Sequence, residues 1–221
     1  MKLTLAYFVD CTGMLHGGRF PDDPLQLVGK NLEAWLLQLL ASYQVGEIPV
    51  IKGQVDQSAK ITGQVYIAEG AEVGPGVLIT GPAFIGPDSE VRHTAYVRGP
   101  VYLGRRCVVG HATEVKGSCF LDGAKAGHLS YVGDSVLGRE VNLGAGSKLA
   151  NLKFRGDEVS YRHPETMAKI KSGHRKFGSI LGDRAQTGCN AVLSPGSLLG
   201  RDTAVSPCVH FQGTLSKGIF Q

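Results

Sequence analysis

Aliphatic side chains recur along the middle of this chain at every sixth residue. Counting from Val55, the positions Ile61, Ile67, Val73, Ile79, Ile85, Val91, Val97, Leu103, Val109, Val115 and Leu121 are all aliphatic. The residue two before each is mostly small, as at Ala59, Ala71, Ala83, Ser89, Ala95, Cys107, Thr113 and Cys119, and the residue just after is often glycine, as at Gly74, Gly86, Gly104 and Gly110. A helix would repeat near 3.6 residues and a half-buried strand near 2, so neither explains the pattern. The register slips between Leu121 and Leu137 and resumes at Leu137, Leu143 and Leu149. It breaks again over 150–178, then returns at Leu181, Thr187, Leu193, Leu199 and Val205.

A six-residue period of branched aliphatics, small residues and turn glycines predicts short strands joined at corners. Three such strands close a triangular coil, and coils stack at the strand spacing of about 4.8 Å. The large aliphatic fills the interior, the small residue leaves it room, and glycine permits the positive φ that corners need. The expected fold is all-β, a left-handed parallel β-helix of hexapeptide repeats over 51–206, with an inserted loop at about 150–178. Cys107 and Cys119 occupy small inward slots and are expected to be packing residues. Residues 207–221 lack the period and are expected to form a tail that caps the coil or crosses to a neighbour. Residues 1–50 form a separate extension: Leu27, Leu32, Trp35, Leu36, Leu39 and Leu40 fall at helical spacing after Pro24. A helix over Leu25 to Tyr43 is predicted, packing on one side or end of the β-helix and covering its first open coil.

Composition agrees with a folded core and narrows the partners. Hydrophobic residues make up 43% of the 221 and charged residues 19%, while 31 glycines show no collagen-like three-residue period. The formal charge of +4 is too small to make a nucleic-acid-binding field. No apolar run reaches the roughly 18 residues that cross a bilayer, and the start MKLTLAYFVD meets an acid too early to read as a secretory leader. Five cysteines without CxxC spacing suit reduced thiols rather than a disulfide framework or a zinc site. A cytoplasmic protein with neither nucleic-acid nor membrane partners is expected.

Residues eighteen apart stack one coil above another. Arg98 and Lys116 are so spaced, and two stacked cations repel unless an anion sits between them or the side chains splay into water. His93 and His111 share the spacing, which raises a zinc-dependent carbonic anhydrase of the same fold. That family adds an H-x4-H pair absent from this sequence, so no metal is predicted.

The slip region carries the most specific signal. It contains Lys125-Ala126-Gly127-His128, Tyr131, Gly133-Asp134, Asn142-Leu143-Gly144-Ala145-Gly146 and Asn151 in one ungapped run. This stretch resembles the C-terminal acetyltransferase domain of the bifunctional enzymes that make UDP-N-acetylglucosamine, and the similar domain of archaeal and bacterial sugar-1-phosphate nucleotidylyltransferases. The likeness covers roughly residues 50–205, with Lys116 and Arg98 at the family's own offsets of twelve and thirty residues before the histidine. It implies an acetyl-CoA-dependent N-acetyltransferase acting on a hexosamine 1-phosphate, working by direct transfer in a homotrimer.

The resemblance also implies roles. His128 is the general base, a task an imidazole performs near neutral pH. Arg98, Lys116 and Tyr131 hold the sugar phosphate, Asn142 and Asn151 orient the amine and the acetyl group, and Glu114 helps to orient His128. Cys189 falls near a coenzyme A contact of the family. The insertion carries seven Lys or Arg against three acids, a surplus of four that suits the phosphates of coenzyme A; Arg175 and Lys176 are its candidates, in a run GHRKFGSILGD that resembles the archaeal-type proteins. Fifty residues ahead of the repeats are too few for a uridyltransferase domain. The alternative expectation is a non-catalytic module that binds a sugar phosphate or sugar nucleotide and regulates or scaffolds a separate nucleotidylyltransferase.

Overall fold

The computed structural model describes residues 3–14 and 20–221; the first two residues and 15–19 of the N-terminal extension lie outside the described residues. The repeats form a left-handed parallel β-helix with three faces. The first face stacks nine strands in order from Gln54–Val55 to Ile219–Phe220. The second and third are joined, because Tyr96–Leu103 and Glu114–Phe120 each run unbroken around the corner between them. All pairs within these faces are parallel, as a coil that advances by one strand spacing per turn requires.

The aliphatic positions line the interior. Ile67, Ile79, Ile85, Val91, Val97, Leu103, Val109 and Val115 are fully buried and belong to one continuous cluster. Each such side chain contributes about 1.5–3 kcal/mol by leaving water. Thr187 also points inward, and its hydroxyl lies 2.8 Å from that of Ser147, which satisfies both.

The register slip has a simple cause. Lys116 pairs with Arg98 and Ser118 with Val101, so Gly117 alone stands opposite Gly99 and Pro100. One residue is missing from that coil, and Gly117 takes a φ of +59° to close it. Phe120, not Leu121, therefore fills the interior opposite Leu103. Cys119 and Leu121 face outward instead, buried beneath the N-terminal extension. The expectation that Cys119 is an inward packing residue is thus corrected, although it remains fully buried. The coils continue without interruption through Ala126, Val132 and Leu137.

The described residues of the extension do not cover the first open coil. A 3-10 turn at Pro24–Leu27, capped by Asp23, which accepts from the Leu25 N–H at 2.9 Å, precedes the α-helix Gly29–Ser42. Val28, in an extended conformation, separates the two, so the helix starts later than the predicted Leu25. The helix lies along the third face, against Tyr96–Leu103 and Glu114–Phe120. That face displays an aromatic ladder: Tyr66, Phe84 and Tyr102 stack at 5.2 and 5.4 Å, and Trp35 meets Tyr102 edge-on at 5.3 Å. Apolar surface on the side outcompetes the coil end, where Ile48 and Ile51 remain exposed.

The chain end is also corrected. Residues 207–221 do not leave the coil: His210–Phe211, Thr214–Leu215 and Ile219–Phe220 pair with the three strands before them and complete a last, shortened turn. The insertion forms an antiparallel hairpin, Ser160–Arg162 with Lys169–Lys171. Val159, Tyr161 and Phe177 bury it against the same outer cluster as the N-terminal helix.

Candidate active site

The expected site residues fall into three groups. The first lies on the second face, where consecutive coils bring Tyr96, Glu114, Tyr131 and Lys148 into register, and beside them Arg98, Lys116 and Gly133. Arg98 and Lys116 stack as their spacing predicts, yet neither is an unpaired cation. Arg98 donates to Glu114 at 2.9 Å, and Lys116 lies 3.1 Å from both carboxylate oxygens of Asp134. Carboxylates from neighbouring coils supply the anions that the stacked charges need. The Arg98–Glu114 bond raises the guanidinium pKa above its usual value.

Asn151 enters the same group. Its amide donates to Asp134, and its carbonyl accepts from the Tyr131 hydroxyl at 3.4 Å. Gly133 makes the space: a Cβ there would stand 2.7 Å from the Asn151 amide and 2.8 Å from the Tyr131 hydroxyl. Burial, and then the negative charges of Glu114 and Asp134, raise the Tyr131 pKa, so the phenol stays a proton donor. The end of the insertion fixes the backbone here, since Phe177 N–H donates to the Asn151 carbonyl at 2.9 Å and Gly178 N–H to the Asp134 carbonyl at 2.8 Å.

The second group lies around a corner, on the first face. A groove of about 700 Å³ is lined by Arg92, Arg106, Lys125, His128, Asn142 and Cys189, among others. His128 ends the strand Lys125–His128, exposed, in register with His111, whose ring stacks on His93 at 4.3 Å. Its backbone carbonyl is held by Gly146 N–H and by the Ser130 hydroxyl, both at 3.0 Å. The turn through Leu129, at a φ of +52°, separates His128 from Tyr131 by three residues, at most about 10 Å of chain. Glu114 accepts from Arg98 through Oε1, on the second face.

Arg175 and Lys176 form the third group. Both are exposed at the base of the insertion; Arg175 donates to the Gly156 carbonyl at 2.9 Å and Lys176 bridges to Leu152. Neither lines the groove that holds Cys189, so a single chain does not unite the three residues expected to meet coenzyme A.

Asp134 is the residue that sequence reasoning missed. It stood in the quoted motif without a role, and its spacing of eighteen from Lys116 was the available signal. Among the described residues, no group of three or more His, Cys, Asp or Glu is placed to hold a metal ion, and no helix is long and apolar enough to cross a membrane.

The family model described as the GMPPB C-terminal domain matches residues 79–168. A bifunctional sugar-1-phosphate nucleotidylyltransferase/acetyltransferase of Sulfurisphaera tokodaii is 40% identical over 155 residues, covering 70% of this chain and 38% of that protein. The bifunctional protein GlmU of Methanococcus maripaludis strain C7 is 46% identical over 158 residues, covering 72% of this chain and 38% of that protein. The chain thus spans about two fifths of the length of these curated relatives. A Francisella novicida UDP-N-acetylglucosamine acyltransferase aligns in structure with a TM-score of 0.47 and 16% identity, covering 74% of this chain and 62% of that one.

Proposed function

The chain carries a hexapeptide-repeat β-helix domain of the acetyltransferase family, and from that premise we propose that it is an acetyl-CoA-dependent N-acetyltransferase acting on a hexosamine 1-phosphate. The observation that carries the reading is the corner between the first two faces. His128 stands exposed on one side, and Arg98, Tyr131 and Asn151 converge on the other.

The sugar phosphate lies on the second face. Arg98 turns from the exposed Glu114 to the phosphate, with the Tyr131 hydroxyl as a neutral donor and Lys116 behind it. The amine of the sugar reaches over the corner to His128, and the acetyl thioester lies in the groove beside Asn142 and Cys189. The amine nitrogen attacks the thioester carbonyl while His128 accepts its proton. Collapse of the tetrahedral intermediate breaks the carbon–sulfur bond, and the departing coenzyme A thiolate takes the proton from His128. No acyl-enzyme forms. Arg175 and Lys176 lie on a different part of the surface from Cys189, which suits a homotrimer in which one subunit's insertion attends its neighbour's groove. The working compartment in this reading is the cytoplasm.

Release of free coenzyme A thiol from acetyl-CoA and glucosamine 1-phosphate tests the proposal, with His128→Ala as the control. Turnover lost in the variant supports it; no turnover with any amino-sugar phosphate sinks it.

A second reading, a non-catalytic sugar-phosphate module, is favoured by one observation. The hydrogen bonds from Gly146 N–H and the Ser130 hydroxyl fix the backbone carbonyl of His128, and its side chain is left exposed. Binding of glucosamine 1-phosphate without turnover separates it from the first.

A further inference from the structure

Asp134 occupies a built slot. Its carboxylate is 2% exposed, and a Cβ on Gly117 would stand 2.3 Å from its Oδ1, so only glycine fits beneath it. A Cβ on Gly29, at the start of the α-helix, would stand 3.3 Å from the same oxygen. The backbone of Asp134 sits at a φ of +43°, a left-handed conformation that glycine adopts more readily. A side chain kept at a backbone cost, in a slot cleared by glycines, serves its partners.

Those partners are two. Lys116 lies 3.1 Å from each carboxylate oxygen, and the Asn151 amide donates to Oδ2. An ionised carboxylate only accepts hydrogen bonds, so it forces Asn151 to turn its NH2 inward. The carbonyl oxygen of Asn151 then faces the Tyr131 hydroxyl. The charge of Lys116 is cancelled by the same carboxylate. The exposed Arg98–Glu114 pair, at 45% and 34% side-chain exposure, is the one that a phosphate can open.

We infer that Asp134 is a positioning residue that locks Asn151 as a hydrogen-bond acceptor and holds Lys116 as a neutralised pair, so that the site selects a ligand presenting an N–H or O–H donor to Asn151 and its phosphate to Arg98. The catalytic part of this inference rests on the acetyltransferase reading; the grip on Lys116 and Asn151 does not.

Two measurements test it. Competitive acetylation of the native protein by acetic anhydride, resolved by mass spectrometry, compares Lys116 with the exposed Lys60 and Lys148. Lys116 reacts at least tenfold more slowly in the wild type, and the gap closes in Asp134→Asn. Equal reactivity in the wild-type protein overturns the inference, and this arm needs no variant that folds. In the second, Asp134→Asn lowers kcat about tenfold and also lowers KM for glucosamine 1-phosphate, because the amide is released while Lys116, no longer neutralised, attracts the phosphate. A raised KM at unchanged kcat overturns it, and a purely structural role would reduce the active fraction without moving KM. Absence of turnover by the wild type overturns the acetyltransferase reading instead, and the labelling alone then decides whether Asp134 holds Lys116.

Discussion

Arg98 donates to Glu114 at 2.9 Å across one coil step, so the carboxylate faces a cation. Both side chains are substantially exposed, and such pairs contribute at most about 1 kcal/mol to stability. Glu114→Gln should therefore leave the melting temperature nearly unchanged. It should strengthen glucosamine 1-phosphate binding about twofold or more, by freeing Arg98. Titration calorimetry checks this, and weaker binding in the variant would point to a direct role for Glu114.

Two glycines provide a paired test of the site. A methyl group at Gly133 collides with Asn151 and Tyr131, whereas one at Gly127 meets nothing within 4 Å. Gly133→Ala should cost on the order of tenfold in turnover, about 1.4 kcal/mol of barrier. Gly127→Ala should leave coenzyme A release close to wild type, and an equal loss in both variants would sink the assignment of the collision at Gly133.

The aromatic ladder should hold the N-terminal helix in place. Tyr102 is fully buried between Phe84 and Trp35, and removing a ring of that size costs roughly 3–5 kcal/mol. Tyr102→Ala should lower the urea midpoint and shift the emission of Trp35, the chain's one tryptophan, to the red. A shift in Trp35 emission below the main unfolding transition would show the helix lifting from the β-helix by itself.

The thiols divide by environment. Burial pushes the Cys107 pKa up to about 12, and burial likewise raises that of Cys119, whereas Cys189 and Cys208 are exposed. A thiol reagent should modify Cys189 and Cys208 in the native protein, and Cys107 and Cys119 only on unfolding. Coenzyme A should protect Cys189, which lines the groove, more than Cys208. Equal protection of both, or of neither, would move the cofactor elsewhere.

Stability should carry a pH signature from Asp183. This carboxyl is 1% exposed, accepts from Asp10 N–H at 2.7 Å and Arg139 N–H at 2.8 Å, and has its pKa raised by burial. The folded state then binds the proton more tightly than the unfolded chain. The associated stability is present below the unfolded carboxyl range near 3.8 and is lost as pH rises through the raised folded value. Melting temperatures of the wild type and Asp183→Asn, measured across that interval, should differ most favourably for the wild type at the acid end. A difference independent of pH would refute the assignment.

Several of these features were legible in the residues themselves. The interior from Val55 to Val115 follows from a period that only one backbone geometry accommodates, and the stacking of Arg98 on Lys116 follows from eighteen residues per coil. The aromatic ladder was equally available, since Tyr66, Phe84 and Tyr102 are eighteen apart. It went unread because outward positions do not enter an argument built on the inward ones. Leu121 was misplaced because periodic counting assumes a full coil, and the coil is one residue short at Gly117.

What the chain dictated by itself is the β-helix, because burying an aliphatic every sixth residue is a local rule repeated many times and needs no distant partner. The identity of each charge's partner required coordinates. Whether Glu114 meets Arg98, and whether Lys116 faces solvent or Asp134, depends on which side of a corner each side chain leaves. A single missing residue or one left-handed φ decides that, and neither appears in a hydrophobic pattern.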